Sequence, residues 1–287
     1  DLGIERIGNT VARLLEECEL SQDRIAGIGI GCPGPIDLDK GRVTMAPNLG
    51  WDDVDVAGYL KKRFSCPTVV INDVDAGVFG EYKFGAAKGA RCAVGIFPGT
   101  GVGGGCVYQG RIFAGGGLSC MEIGHTRISG GSRTTGYKLT GTLEAEASRL
   151  AIAAEASKAA YRGDAPNLFK KAGTDLAEIR SGALAESVQK GDQAVEQLVE
   201  SAAVSIGIAV VNVVHLLAPD KIVLGGGLVE AMEDLIVGTV TKTARKHVMG
   251  AYKDCFDVVP AKLGDDAGVM GAAAWAKQEA GSKNESK

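Results

Sequence analysis

The sequence predicts an α/β protein, and three observations carry that prediction. Short apolar runs end in glycine-rich turns and give way to stretches with apolar residues at helical spacing. The 42 glycines allow many tight turns between such elements. Hydrophobic residues make up 45% of the chain but aromatics only 5%, so a core would be built from Ala, Val, Ile and Leu. At 287 residues the chain can hold one large domain or two of ordinary size.

The elements follow in order. Ile4, Ile7, Val11, Leu14, Leu15 and Cys18 share one face of a helix. Ser21 can cap a short second turn, and Ile25 to Ile30 reads as a buried strand stopped by Cys32-Pro-Gly-Pro35. Asp55 to Phe64 is an amphipathic helix, and Thr68 to Ile71 a second strand after Pro67. Strand, helix, strand in that order implies a right-handed parallel crossover. Cys92 to Phe97 is a strand running into Gly99-Thr-Gly-Val-Gly-Gly-Gly105, with Cys106 to Tyr108 returning as a hairpin. Arg162 to Asp175, polar and containing Gly, Pro and Asn, is expected to be a loop. Gln193 to Leu217 is a long buried helix, Lys221 to Leu224 a strand ending in Gly225-Gly-Gly227, and a further helix follows. Ala267 to Gln278 is a small-residue helix, and 281–287 a polar tail expected to be disordered. No tandem repeat of fixed period is visible.

Composition narrows the function. A net charge of −4 offers no electrostatic footprint for nucleic acid or an anionic membrane. The seven cysteines are odd in number and never in a CxxC pair, so they read as small apolar residues of a reducing compartment. The apolar stretch Ser205 to Ala218 is too short to span a bilayer. A cytoplasmic protein is the expectation.

Four constellations could carry chemistry. Asn72-Asp73 directly follows a strand, at the end where open α/β sheets meet their ligands. A carboxylate there can take a proton from a hydroxyl nucleophile; equally, it can cap the next helix. Gly99 to Gly105 offers closely spaced N–H groups and the Thr100 hydroxyl to phosphate oxygens, or is a plain glycine turn; without a following Lys-Ser/Thr it is no Walker loop. Gly225 to Gly227 permits close backbone approach to an adenosine, or is a tight strand-to-helix turn. Glu122-Ile-Gly-His125, with Glu144 further on, supplies the carboxylates and imidazole that grip vicinal hydroxyls; a core histidine or a metal ligand is the ordinary alternative, the metal disfavoured because no Cys or His lies close by in a ligand spacing.

In combination these segments resemble the ROK family (repressors, open reading frames and kinases), and within it the ATP-dependent glucokinases. The resemblance rests on Ile28-Gly-Ile-Gly-Cys-Pro-Gly-Pro-Ile-Asp37, Ala46-Pro-Asn-Leu-Gly-Trp51, Ile71-Asn-Asp73, Gly99 to Gly105, Glu122 to His125 and Val223 to Gly227, in the family's order. It implies a two-lobed actin-like ATPase (ribonuclease H-like) fold. The smaller lobe would run from about residue 1 to 89 and be joined by the helix 265–280; the larger would span 90–263. It implies Asp73 as catalytic base and Asn48, Asn72, Glu122, His125 and Glu144 as sugar-holding residues. Gly99, Thr100, Gly101 and Gly103 would match the phosphate loop, and Gly225, Gly226 and Gly227 the adenosine side. The reaction implied is transfer of the γ-phosphoryl group of Mg²⁺-bound ATP to a hexose, glucose first, by a homo-oligomer.

Two departures matter. Where the family carries a CxCGxxGC zinc segment, this chain has Thr135 to Thr142, with Thr135, Tyr137 and Thr142 at cysteine places. Hydroxyls are poor zinc ligands, so no zinc is expected. The family's opening hairpin with its Asp-x-Gly-Gly-Thr motif is not visible, and it would need roughly 30 residues ahead of Asp1. The chain is therefore expected to be a fragment. Rival readings are a sugar-sensing repressor and a sugar-binding pseudokinase.

Overall fold

The structure, a computed structural model, describes residues 2–136 and 138–285. It opens with α1 (Leu2–Glu17) and a single 3-10 turn that Ser21 precedes without a side-chain cap. Then comes β1 (Ile28–Cys32), three residues later than the apolar run predicts. A small antiparallel sheet follows, of β2 (Ile36–Asp37), β3 (Arg42–Ala46) and β4 (Trp51–Val54). The helix α2 (Val56–Phe64) is capped by the Asp55 carboxylate, which accepts from Gly58 N at 2.9 Å. It leads into β5 (Thr68–Asn72), parallel to β1 in the register Ile28↔Thr68 to Cys32↔Asn72. Helix α3 (Asp73–Phe84) leaves directly from the end of that strand.

The second half is built on a five-stranded sheet. The hairpin β6 (Cys92–Pro98) and β7 (Val102–Tyr108) is extended by β8 (Arg111–Ile112). Four helices come next: α4 (Leu143–Ala147), α5 (Arg149–Arg162), α6 (Pro166–Ala172) and α7 (Ser181–Gln189). The long α8 (Gln193–Leu217) leads to β9 (Lys221–Leu224), α9 (Gly227–Ala231), α10 (Glu233–His247) and β10 (Asp257–Pro260). The sheet order is β10-β9-β6-β7-β8, and the chain ends in α11 (Asp266–Glu285).

Helix α8 spans the predicted residues and lies in the largest apolar cluster, to which it gives Val195, Val199, Ile206, Val210 and Val214, packed mainly against α10, α4 and α5. Each such side chain contributes about 1.5–3 kcal/mol on burial. At 25 residues it is long and apolar enough to cross a membrane, more than the stretch Ser205 to Ala218 suggests. More than half of its most apolar window is buried in this core.

Two elements differ from the sequence expectation. Within Arg162 to Asp175, expected as a loop, residues Pro166–Ala172 form α6. Its exposed amino end is satisfied from a distance. The Asp192 carboxylate accepts from Leu168 N (2.8 Å), Asn167 N (3.3 Å) and Asn167 Nδ2 (2.8 Å), while Leu168 is fully buried. A cap supplied from Asp192 leaves no local signature. The last helix likewise continues to Glu285, so 281–285 are helical and not a disordered tail; Ser286 and Lys287 lie outside the described residues. Gln278 and Glu279 hold that helix by donating to Gly110 O (2.9 Å) and pairing with Arg111 (2.9 Å).

The position of α3 decides where any site can be. It packs against α11 and β1 on one side and against β6 and β7 on the other. Its Glu81 is fully buried, with Oε1 accepting from Lys262 N (2.8 Å) and Leu263 N (2.7 Å) and Oε2 from Ala86 N (2.7 Å). Removing that acceptor strands three part-buried N–H groups, each costing up to about 1–3 kcal/mol. Glu81→Ala is therefore expected to lower the melting temperature by on the order of 10 °C. An unshifted thermal transition would reject this bracing role.

Candidate active site

The first turn of α3 is organised by Asn72. Its Oδ1 accepts from Val74 N (2.8 Å) and Asp75 N (3.3 Å), and its Nδ2 donates to Gly34 O at 3.3 Å. Asn72 is thus the cap, which frees Asp73 from that task. Asp73 Oδ1 accepts from the neighbouring Val74 N at 3.0 Å. The residue lines a cavity of about 860 Å³ together with Gly31, Ala76, Asp265 and the small residues of α11. Desolvation by the cavity walls raises the Asp73 pKa, with the Val74 N–H and its own N–H opposing.

Strand β7 is pressed directly onto this turn. The space a side chain would need at Gly103 holds Val74, and that at Gly101 holds the Glu144 carboxylate. Glu144, in the first turn of α4, accepts from Val102 N at 3.1 Å and so clamps the loop between β6 and β7. Glu122 precedes a 3-10 turn (Ile123–His125), with its Oε2 3.9 Å from His125 Nε2. Burial raises the Glu122 pKa; His125 lowers it, and the charges of Asp73 and Glu144 raise it further. Four predicted residues, Asp73, Glu122, His125 and Glu144, therefore form one electrostatically connected group, and Asn72 adjoins it in the chain. Among the described residues Asn48 makes no hydrogen bond to them. It sits exposed in the 3-10 turn between β3 and β4, three residues beyond Met45, whose carbonyl fills the space beside Gly34.

The glycine-rich segment divides by role. Gly103 lies within β7 opposite Phe97, and its lack of a side chain serves packing against α3. The open part is Gly99 with the backbone N–H groups of Thr100 and Gly101. Gly99 meets nothing within 4 Å of a Cβ position, and among the described residues the Thr100 and Gly101 N–H groups have no acceptor within the protein. Two such donors and a hydroxyl suit phosphate oxygens. Gly226 has a φ of 88° and lies 3.1 Å, at its Cβ position, from Pro98 O, which places the Gly225–Gly227 turn beside this loop. Left-handed backbone there explains glycine at 226. The two glycine turns are thus neighbours, as an extended nucleotide requires.

The stretch around Thr135 is a small hairpin. Thr134 bridges Thr140, and Thr135 N donates to Leu139 O at 3.0 Å. Thr142 spends its hydroxyl capping α4 through Ala145 N (3.2 Å), while Tyr137 lies outside the described residues. The hairpin is tied to the helices by the Arg133–Glu146 ion pair at 3.0 Å. Among the described residues no cluster of His, Cys, Asp or Glu could hold a metal ion by itself.

Sequence reasoning missed two residues here. Asp75 is buried, among the described residues no donor reaches its oxygens with full hydrogen-bond geometry, and desolvation pushes its carboxyl up to about 8, the nearby Cys106 N–H opposing and the charges of Glu122 and Asp73 adding to the rise. Its place two residues after Asp73 on α3 could have pointed to it. Arg149 carries no motif; only the fold brings its guanidinium to Thr100 Oγ1, at 3.1 Å.

Comparison with known proteins shows the family and the fold. The ROK family model matches residues 4–279. A glucokinase of Halalkalibacterium halodurans is 31% identical over 277 residues, which is 95% of this chain and 82% of that protein. The structure of a ROK family glucokinase from Streptomyces griseus in complex with glucose and AMPPNP superposes with a TM-score of 0.81 at 26% identity, over 96% of this chain and 88% of that one. The ROK hexokinase from Thermus thermophilus gives 0.79 at 29% identity, over 96% and 86%. The fold is the two-lobed actin-like ATPase fold.

Proposed function

Because the chain belongs to the ROK family, we propose that it transfers the γ-phosphoryl group of ATP to a hexose hydroxyl, with glucose as the preferred acceptor. One observation carries the reading. The Asp73 carboxylate, relieved of capping by Asn72, opens onto a cavity and is coupled to Glu122, while the free N–H groups of Thr100 and Gly101 lie on the adjoining loop.

In this scheme Glu122, His125 and Glu144 hold the sugar, Asn72 sets the acceptor, and Asn48 approaches from the β3–β4 turn. Asp73 accepts the proton of the attacking hydroxyl as its oxygen bonds to the γ-phosphorus and the bond to the bridging oxygen breaks, releasing ADP. Asp75, neutral at pH 7, adds no second negative charge beside that base. Glycines 99, 101 and 103 and Thr100 serve the phosphates, the last glycine by its packing, and Gly225 to Gly227 the adenosine. Mg²⁺ would neutralise charge on the polyphosphate. The carboxylates of Asp73 and Asp265 line one cavity and suit an ion that arrives on the nucleotide with most of its waters. We place the smaller lobe at 1–89 with α11, and the larger at 90–263.

The test is ADP release, coupled to a colour reaction, across glucose, N-acetylated hexosamine, mannose and fructose. Turnover is expected with a hexose, fastest with glucose. Heat-stabilisation by a sugar with no ADP release would replace the kinase reading by a sugar-binding one.

A further inference from the structure

We propose that Arg149 is a nucleotide-binding residue whose guanidinium takes the polyphosphate oxygens of ATP between the two glycine turns. This rests on the kinase reading above and adds a residue to it. Arg149 is the first residue of α5, held there by its own N–H donating to Gly99 O at 2.8 Å and by Ser148, whose Oγ caps Ala151 N at 3.1 Å. Its side chain then reaches along the cleft wall. Nη2 donates to Thr100 Oγ1 at 3.1 Å and Nη1 to Ile179 O at 3.4 Å. Ile179 is followed two residues later by Ser181, whose Oγ lies 3.6 Å from the Cβ position of Gly227. The guanidinium therefore joins the Gly99–Gly101 turn to the segment that runs on, through Ser181, to the Gly225–Gly227 turn.

Charge makes the position informative. Arg149 is half-buried, and among the described residues it forms no ion pair, although several other arginines here do. A guanidinium has five N–H donors, so the two bonds described leave donors to spare. A partly desolvated, un-neutralised cation favours an anion beside it, and planar forked donors match phosphate geometry. The amino end of α5 adds positive potential at the same spot. The polyphosphate is the anion that the proposed reaction brings to these turns. With this cation in place, Thr100 has its hydroxyl oxygen occupied by Arg149 and its proton free to donate outward.

Arg149→Ala and Arg149→Lys test the proposal, with calorimetric binding of AMPPNP and of adenosine measured alongside turnover. Arg149→Ala is expected to raise the KM for ATP and weaken AMPPNP by about tenfold or more, leaving adenosine affinity, sugar KM and the thermal transition unchanged. Arg149→Lys should recover part of the loss. Unchanged AMPPNP affinity would overturn the proposal. So would equal losses for AMPPNP and adenosine, which would mean that Arg149 merely braces the turns. Should the alanine variant not fold, the lysine variant decides by the same comparison. If the unaltered protein releases no ADP with any sugar, the kinase reading fails, and the AMPPNP and adenosine titrations still decide the role of Arg149.

Discussion

Asp73→Asn is expected to lower turnover with the preferred sugar by at least about a hundredfold while leaving sugar binding within a few-fold of the parent. Positioned general bases contribute about 10²–10⁴ in rate, and asparagine keeps the shape while removing the proton acceptor. Fold stability should hold, because Asn72 rather than Asp73 provides the main cap of α3. The parent enzyme should also carry a signature in pH. Only ionised Asp73 can accept a proton, and desolvation raises its pKa above the ordinary value of about 3.9. The acid limb of kcat/KM should therefore lie above that value, with activity falling as pH drops through it. Near-parental turnover by Asp73→Asn would remove Asp73 from the mechanism, whatever the sugar site does.

Gly271→Val is expected to be the most damaging single change to the fold. Helices α3 and α11 cross there so closely that an added Cβ would overlap the Ala76 carbonyl oxygen and lie 2.7 Å from Gly80 N. Both neighbours are backbone, so no rotamer change can make room. On the other partner Gly80 faces the Ala267 carbonyl in the same way, and Gly29 of β1 faces that of Ala272. Forcing the helices apart opens the apolar cluster of Ile71, Val78, Phe79 and Ala272. Overpacking in a core costs about 1–3 kcal/mol when side chains can yield, and this site should exceed that range. The variant should show a melting temperature lower by on the order of 10 °C, or fail to accumulate as folded protein. Gly268→Ala on the same helix is the control. It meets nothing within 4 Å and replaces a poor helix former, so it should be neutral or mildly stabilising. Equal behaviour of the two variants would dismiss the close-crossing argument.

Glycine is where the reading from sequence was least complete. The run from Gly99 to Gly105 presents one pattern, yet its members do different work. Gly99 is open, Gly101 makes way for Glu144, and Gly103 makes way for Val74. A missing side chain looks the same in a sequence whether it exposes backbone to a ligand or admits a neighbouring element. The long helix α8 and the hairpin of β6 and β7 were legible because periodicity and turn residues are local signals. The α6 helix was not, because its amino end is satisfied by Asp192, 24 residues beyond Leu168.

By itself the amino-acid order determined α2, β5, the hairpin of β6 and β7, α8 and β9, the placement of Asp73 at a strand's end, and the kinship carried by its motifs. Those follow from local propensity and from short spacings, which the chain expresses wherever it folds. Tertiary structure alone decided that Asn72 caps the helix and Asp73 does not, that Glu144 clamps the turn between β6 and β7, and that Arg149 reaches Thr100. Such facts depend on which distant segments meet across α3, and the geometry of that meeting is set by helix crossings tight enough to exclude a single methyl group.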